Sequence, residues 1–211
     1  MRLPEREKYA VLDKALITAR DIKNESSFVK VLLSMIDHLP KEKQQDVLDE
    51  ALSAAFHIDD ANVRIEMLCN VASHSGESEQ YVAINEALNI ACNIDDEWNR
   101  VFALKKVATH LPTETHDLQI EVLQNVYQIV HQPGSAEILK HLVPHWQSLC
   151  QYNGSNEEAE VIRALYEFTT TKRQNLLNAI EALLPIISRI GGERAVNETT
   201  QAILDTARWW P

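Results

Sequence analysis

The sequence predicts an all-α chain, an αα-superhelix of 36-residue two-helix repeats of the TPR or HEAT solenoid kind. Three observations carry that expectation. The first is an internal repeat: ALITARDIKNESSFVKVLLSMIDHLP from Ala15, ALSAAFHIDDANVRIEMLCNVASHSG from Ala51 and ALNIACNIDDEWNRVFALKKVATHLP from Ala87 superimpose without a gap at a shift of 36 residues. The second is spacing, because the apolar residues of each unit follow the steps of three and four that line one face of a helix. The third is composition. Five glycines, seven prolines and 6% aromatic residues among 211 suit layers of Leu, Ile, Val and Ala better than an aromatic-rich sheet.

The elements of the unit follow in order. Leu48, Ala51, Leu52, Ala55 and Ile58 form the apolar face of its first helix, with matching columns Ala15/Ala51/Ala87, Ala19/Ala55/Ala91 and Ile22/Ile58/Ile94. A turn follows at Asp59-Asp60, repeated as Asp95-Asp96, with Asn24 at the equivalent of the second Asp. These short side chains can cap the incoming helix and sit at its positive end. Ile65, Leu68, Val71 and Ala72 line the second helix, in columns such as Val29/Ile65/Val101 and Leu32/Leu68/Leu104. Pro40 and Pro112 close that helix in the outer units, since proline cannot continue the hydrogen-bond ladder, and Ser75-Gly76 closes the middle one. A two-helix unit of this size cannot bury its own apolar face, so it must stack on its neighbours. The recurring alanines, Ala15, Ala19, Ala51, Ala55, Ala87 and Ala91, let the helices approach closely.

Residues 1–211 are read as one helical-repeat domain, with regular repeats over 13–120 and degenerate repeats plus a C-terminal cap over 121–211. Ile120, Leu123, Val126, Tyr127 and Val130 suggest the first helix of a fourth unit, ending near Pro133-Gly134. A companion through Ile138, Leu139, Leu142 and Val143 is bent or ended by Pro144. Ser155 with Glu158 forms a candidate capping box before a helix through Val161, Ile162, Leu165 and Phe168. A further helix, from Leu176 to Ile190, is kinked at Pro185 and stopped by Gly191-Gly192, and a last one covers Ala195 to Trp209.

Charge and cysteine usage bound the function. A hydrophobic fraction of 45% with 24% charged residues is that of a globular, not a disordered, chain. Its net charge of -11 repels phosphate backbones, which disfavours bulk nucleic-acid binding. Cys69, Cys92 and Cys150 are odd in number, widely spaced and set among apolar neighbours, as expected of buried thiols in a reducing compartment. The N-terminus lacks a signal-type apolar stretch, and the densest apolar run, Ala182 to Ile187, is interrupted by Pro185. The expectation is a cytoplasmic protein that does not bind membranes.

No nucleotide-binding glycine motif and no HExxH occurs, and no nucleophile, base and acid can be assembled, so no catalytic, cofactor-binding or metal residue is assigned. His38, His74 and His110 recur at one point of the repeat. Neighbouring helices stand roughly 8–10 Å apart, so these histidines form a ladder instead of a metal cluster, with each imidazole near the last carbonyls of its helix. Arg64 and Arg100 lie four residues after Asp60 and Asp96 and can pair with them. Trp98 stands where the other units have Ser26 and Asn62, either as a local plug or as an exposed recognition residue. Trp146 is expected in the core. Trp209-Trp210 cannot both be buried in one terminal turn, which leaves Trp210 as a contact candidate. The candidate partner-contact residues are therefore Trp98, Arg64, Arg100, Trp210, His74 and His110.

The unit from Ala87, together with the ending GGERAVNETTQAILDTARWWP, resembles the helical repeats in the carboxy-terminal parts of bacterial, especially cyanobacterial, signal-transducing STAND-like ATPases. The pattern is complete at Ala87, Leu88, Ala91, Ile94, Asp96, Trp98 and Arg100. The first unit departs from it with Ser26 and Phe28, and the middle one keeps Arg64 but has Asn62. The resemblance implies a sensor or scaffold attached to an ATPase or effector module, and it carries over no catalytic residue. A non-enzymatic interaction or sensor scaffold holding a protein partner is the leading expectation. A small-molecule-binding or lyase-type repeat protein and a structural spacer are the alternatives.

Overall fold

The computed structural model describes residues 5–152 and 154–207, with side chains over 7–152 and 154–205. All regular structure among them is helical. The helices are α1 Glu5–Ala19, α2 Glu25–Ile36, α3 Lys41–Phe56, α4 Ala61–Ala72, α5 Glu77–Cys92 and α6 Glu97–Thr109. They are followed by α7 His116–Gln128, α8 Ser135–Leu142, a 3-10 turn at Val143–His145, α9 Trp146–Tyr152, α10 Glu157–Thr169 and α11 Arg173–Ala207. The first-position helices α1, α3 and α5 begin at residues 5, 41 and 77, and α2, α4 and α6 begin at 25, 61 and 97. The 36-residue period of the sequence is thus also the period of the helix starts. None of the described helices is long and apolar enough to cross a membrane.

The recurring start of the second helices has a local cause. Asn24 Oδ1 accepts from the Ser27 N–H at 2.8 Å, Asp60 Oδ1 from Val63 N–H at 2.9 Å and Asp96 Oδ1 from Asn99 N–H at 2.8 Å. Each bond satisfies one of the amides that a helix leaves without an internal acceptor. The leading carboxylates, Asp59 and Asp95, stay in water. Helices α3 and α5 start instead after Pro40 and Gly76 without a side-chain cap, and carry Glu42, Glu77 and Glu79 in their first turns, where the helix dipole favours negative charge.

The described chain forms two compact units. The first spans residues up to 94 together with 110–112. In it α2 packs on α3, α4 on α5, and α2 on α4. Val29, Leu32, Ile65, Leu68, Val71, Ile84 and Leu88 are buried between them. Ala51, Ala55, Ala87 and Ala91 are fully buried, as close helix approach requires. Ala15 differs, because α1 leans on α2 with Leu16 and Ala19 and turns Ala15 and Ile17 to water. Ion pairs cross from helix to helix at the surface: Asp13 with Lys43 at 2.6 Å, Arg20 with Glu50 at 2.8 Å and Lys30 with Glu66 at 3.9 Å.

The second unit spans 95–109 and residues from 113 onward. Helix α8 packs on α6, α7 and α11, and α10 packs on α11. Leu104, Val122, Ile138, Leu142, Trp146, Phe168 and Leu183 fill its core. Buried Asn175 donates to the carbonyls of Val130 at 3.0 Å and Gln132 at 3.2 Å, which satisfies the turn after α7. Trp146 occupies the core position expected of it.

Several local expectations are corrected in this unit. Asn156, not Ser155, caps α10, its Oδ1 accepting from Glu158 N–H at 2.8 Å and Ala159 N–H at 3.1 Å. The helix starts at Glu157, so Ser155 lies one residue too early, and its hydroxyl donates to the Cys150 carbonyl instead. Ile162 and Ile190 are exposed where a core stripe was expected. Pro185 lies inside α11 without ending it. The break falls at Gly192, whose φ of 63° and ψ of -162° suit only glycine, and the chain then resumes a helix over 193–207. The boundary between the two helical segments thus falls at Gly191-Gly192, where the sequence predicts it. Trp209 and Trp210 lie outside the described residues.

Cys69 and Cys150 are buried, Cys92 is half-buried, and none forms a disulfide. Burial pushes the Cys150 thiol pKa up.

Candidate functional site

The sequence candidates do not converge on one pocket. Arg64 opens α4 and His74 lies just past its end, ten residues on, or about 15 Å along the helix axis. Arg64 makes no ion pair with Asp60. Its Nε donates to the Ile58 carbonyl at 2.5 Å, because the Asp60 carboxylate is engaged in capping while that turn carbonyl faces the guanidinium. Arg64 thus fastens the α3–α4 turn. Arg100 acts electrostatically on Glu97, whose carboxyl is held below its usual pKa first by hydrogen bonds from Gln132 and His131. His74 Nδ1 lies 2.9 Å from the Asn70 carbonyl, so that nitrogen carries the hydrogen and the ring closes the end of α4. His57 does the same at Ser53, at 2.7 Å. His38 is exposed and His110 half-exposed.

His74 also borders an open groove of about 370 Å³ between α2 and α4, with Lys30, Ser34, Asp37 and Asn70 along it. Its charges are mixed and its floor is shallow. Lys30 is already drawn to Glu66.

Helix α6 carries a different kind of surface. Trp98 is 47% exposed and Phe102 55% exposed, four residues apart and therefore on one face of the helix. Their ring centroids lie 5.2 Å apart at an interplanar angle of 71°, an edge-to-face pair. The opposite side of α6 buries Val101, Leu104, Val107 and Ala108. In the two earlier units the same columns hold Ser26 with Lys30 and Asn62 with Glu66, all polar. The aromatic pair is thus peculiar to the third unit, and Trp98 is a surface residue and not a plug.

A third feature escaped the sequence reading. A groove of about 310 Å³ lies between α10 and α11, floored by Val161, Leu165 and Ile187. Ile162 and Ile190 stand at its rim, and Ala195 and Thr199 form its far wall. Tyr166, one turn beyond Ile162, is 69% exposed. Periodicity marked the apolar stripe of α10 but could not tell which of two adjacent residues, Val161 or Ile162, turns inward.

Two further polar clusters lie in the second unit. The Tyr127 hydroxyl donates to Glu160 at 3.2 Å while the Arg163 guanidinium lies 5.3 Å from the Tyr127 ring centroid. Burial and the neighbouring carboxylate raise the Tyr127 pKa far above its ordinary value, so the phenol stays protonated. His116 stacks on Tyr152 at 5.2 Å, and burial together with His116 lowers the pKa of His145. No group of three His, Cys, Asp or Glu side chains among the described residues is placed to hold a metal ion. No family model matches this chain, and no curated protein or solved structure matches it.

Proposed function

We propose that the chain is a non-enzymatic interaction or sensor scaffold, a solenoid of two-helix repeats that holds a protein partner on α6. The exposed Trp98–Phe102 pair carries this reading. Tryptophan and its aromatic neighbours dominate the energetic centres of protein interfaces. The apolar core of α6 is built by Val101, Leu104, Val107 and Ala108 on its other side, so burial in the core does not account for the pair. We further propose that the protein works in the cytoplasm and, in keeping with the resemblance of its repeats, serves as the recognition part of a signalling assembly. A small-molecule or lyase-type site needs convergent polar groups, and Arg64 and His74 sit at opposite ends of α4. A spacer needs only a charged surface, on which two adjacent solvent-facing aromatics are out of place.

The test is affinity capture from a native lysate with the intact protein and with the Trp98→Ser/Phe102→Ser variant. A protein recovered by the former and lost by the latter supports the reading, provided both have the same circular dichroism. Equal recovery by both, or no recovered protein, overturns it.

A further inference from the structure

We propose that the groove between α10 and the kinked α11 is a second docking site, one that takes an amphipathic helix with basic residues flanking its apolar stripe. The inference rests on elements and side chains separate from the α6 pair, so either can fail alone.

Exposure is the first argument. Ile162 is 59% exposed and Tyr166 69% exposed, and Ile190 and Leu204 are also open to water. Ile162 and Tyr166 are one helical turn apart, so an apolar ridge runs along α10 from the groove's edge at Ile162. Ile162 and Ile190 border the depression floored by Val161, Leu165 and Ile187, and with Tyr166 one turn along α10 they make more than the scattered single hydrophobics of an ordinary surface.

Shape is the second. The helix kinks at Gly192, where φ is 63°, and this swings the segment 193–207 into a wall facing α10. Gly191 must stay small, because a Cβ there would lie 2.5 Å from the Ala195 Cβ. The two glycines therefore set the groove angle without contributing side chains to it. A trough between two helical walls is the usual receptor for the apolar face of a third helix.

Charge is the third, and it selects the occupant. Among the described residues, the charged side chains lining the groove are those of Glu158 and Glu198. Glu198 is paired with Arg194 at 2.7 Å. Glu158 lends only its backbone N–H to the Asn156 cap, so its carboxylate stands free at the mouth. A chain of net charge -11 adds a long-range field of the same sign. An apolar floor with acid at the rim complements leucine-like anchors flanked by Lys or Arg, and repels an acidic helix.

The probe is a labelled amphipathic peptide of leucine and lysine, about 18 residues long, compared by fluorescence anisotropy with a leucine and glutamate peptide of the same apolar pattern. The leucine and lysine peptide is expected to bind and the acidic one not to. Ile162→Ser/Tyr166→Ser should weaken binding at least about tenfold, the equivalent of losing one good anchor. Glu158→Gln should weaken it about threefold, an effect that salt diminishes. Gly192→Ala keeps every lining side chain but alters the wall angle, and should also weaken binding. Trp98→Ser should leave it unchanged. Equal binding of both peptides overturns the charge argument and with it the proposal. So does loss of binding on Trp98→Ser but not on Ile162→Ser/Tyr166→Ser. Sedimentation showing a dimer that Ile162→Ser/Tyr166→Ser dissociates would assign the groove to a second copy of the chain and equally overturn it.

Discussion

Adjacent carboxylates at the start of α4 allow a sharp test of how the repeat is specified. Asp60 Oδ1 accepts the Val63 N–H at 2.9 Å, whereas the neighbouring Asp59 is exposed and makes no hydrogen bond. Replacing either with Ala removes one negative charge near the positive end of α4, worth about 0.3–1 kcal/mol. Only Asp60→Ala also leaves the Val63 amide without its acceptor, which costs about 1 kcal/mol more. The two variants should therefore differ by about 1 kcal/mol, with Asp60→Ala the less stable. For a chain of this size that corresponds to roughly 2–4 °C in Tm. Urea denaturation of the two variants beside the parent, read by circular dichroism at one pH, measures the difference. Equal destabilisation would refute the view that a capping hydrogen bond, and not bulk charge, fixes where the second helix begins. The same contrast is expected between Asp96→Ala and Asp95→Ala, since Asp96 caps α6 through Asn99.

Other consequences follow from the packing and the titrating groups. Ala55→Leu, at a fully buried position, should cost about 1–3 kcal/mol by overpacking, measurable in the same denaturation assay, while Ser53→Ala on the exposed side of α3 should stay within about 0.5 kcal/mol. The Arg20 guanidinium, bonded to Glu50 at 2.9 and 2.8 Å, holds that carboxyl below its usual pKa. The pair therefore adds stability at neutral pH that is lost as pH falls through the lowered pKa. Because both groups are solvent-accessible the loss is at most about 1 kcal/mol, and Arg20→Gln should flatten that part of the acid profile. His145 acts in the same direction but in a higher pH window. Its folded pKa is depressed by burial and by His116, so the unfolded chain takes up a proton first and stability falls as pH drops through about 6.5. His145→Gln should remove that part of the slope in thermal melts between neutral and mildly acidic pH.

The regular part of the fold was legible because its signals are local and repeated. Columns such as Val29/Ile65/Val101 place apolar groups at helical spacing, and Asn24, Asp60 and Asp96 cap at the positions where they recur. The degenerate part was less legible because several residues there could serve one role. Ser155 and Asn156 are both good caps, and only the start of α10 at Glu157 decides for Asn156. Pro185 and Gly192 both can bend a helix, yet the left-handed backbone falls at the glycine. The sites were harder still. Trp98 could plug or protrude according to how α6 rotates, and Val161 and Ile162 compete for one inward position 100° apart. Those choices depend on packing across the unit, which a linear pattern does not encode.

The central claim is that the aromatic face of α6 is where a partner sits. The most direct measurement is site-specific photo-crosslinking in cells, with a photoreactive phenylalanine analogue placed at exposed Asn99, beside Trp98. The account expects a discrete heavier species that disappears when Trp98→Ser is combined with the crosslinker, while the same probe at Asp59 gives none. No product from position 99, or the same product from both positions, would contradict it.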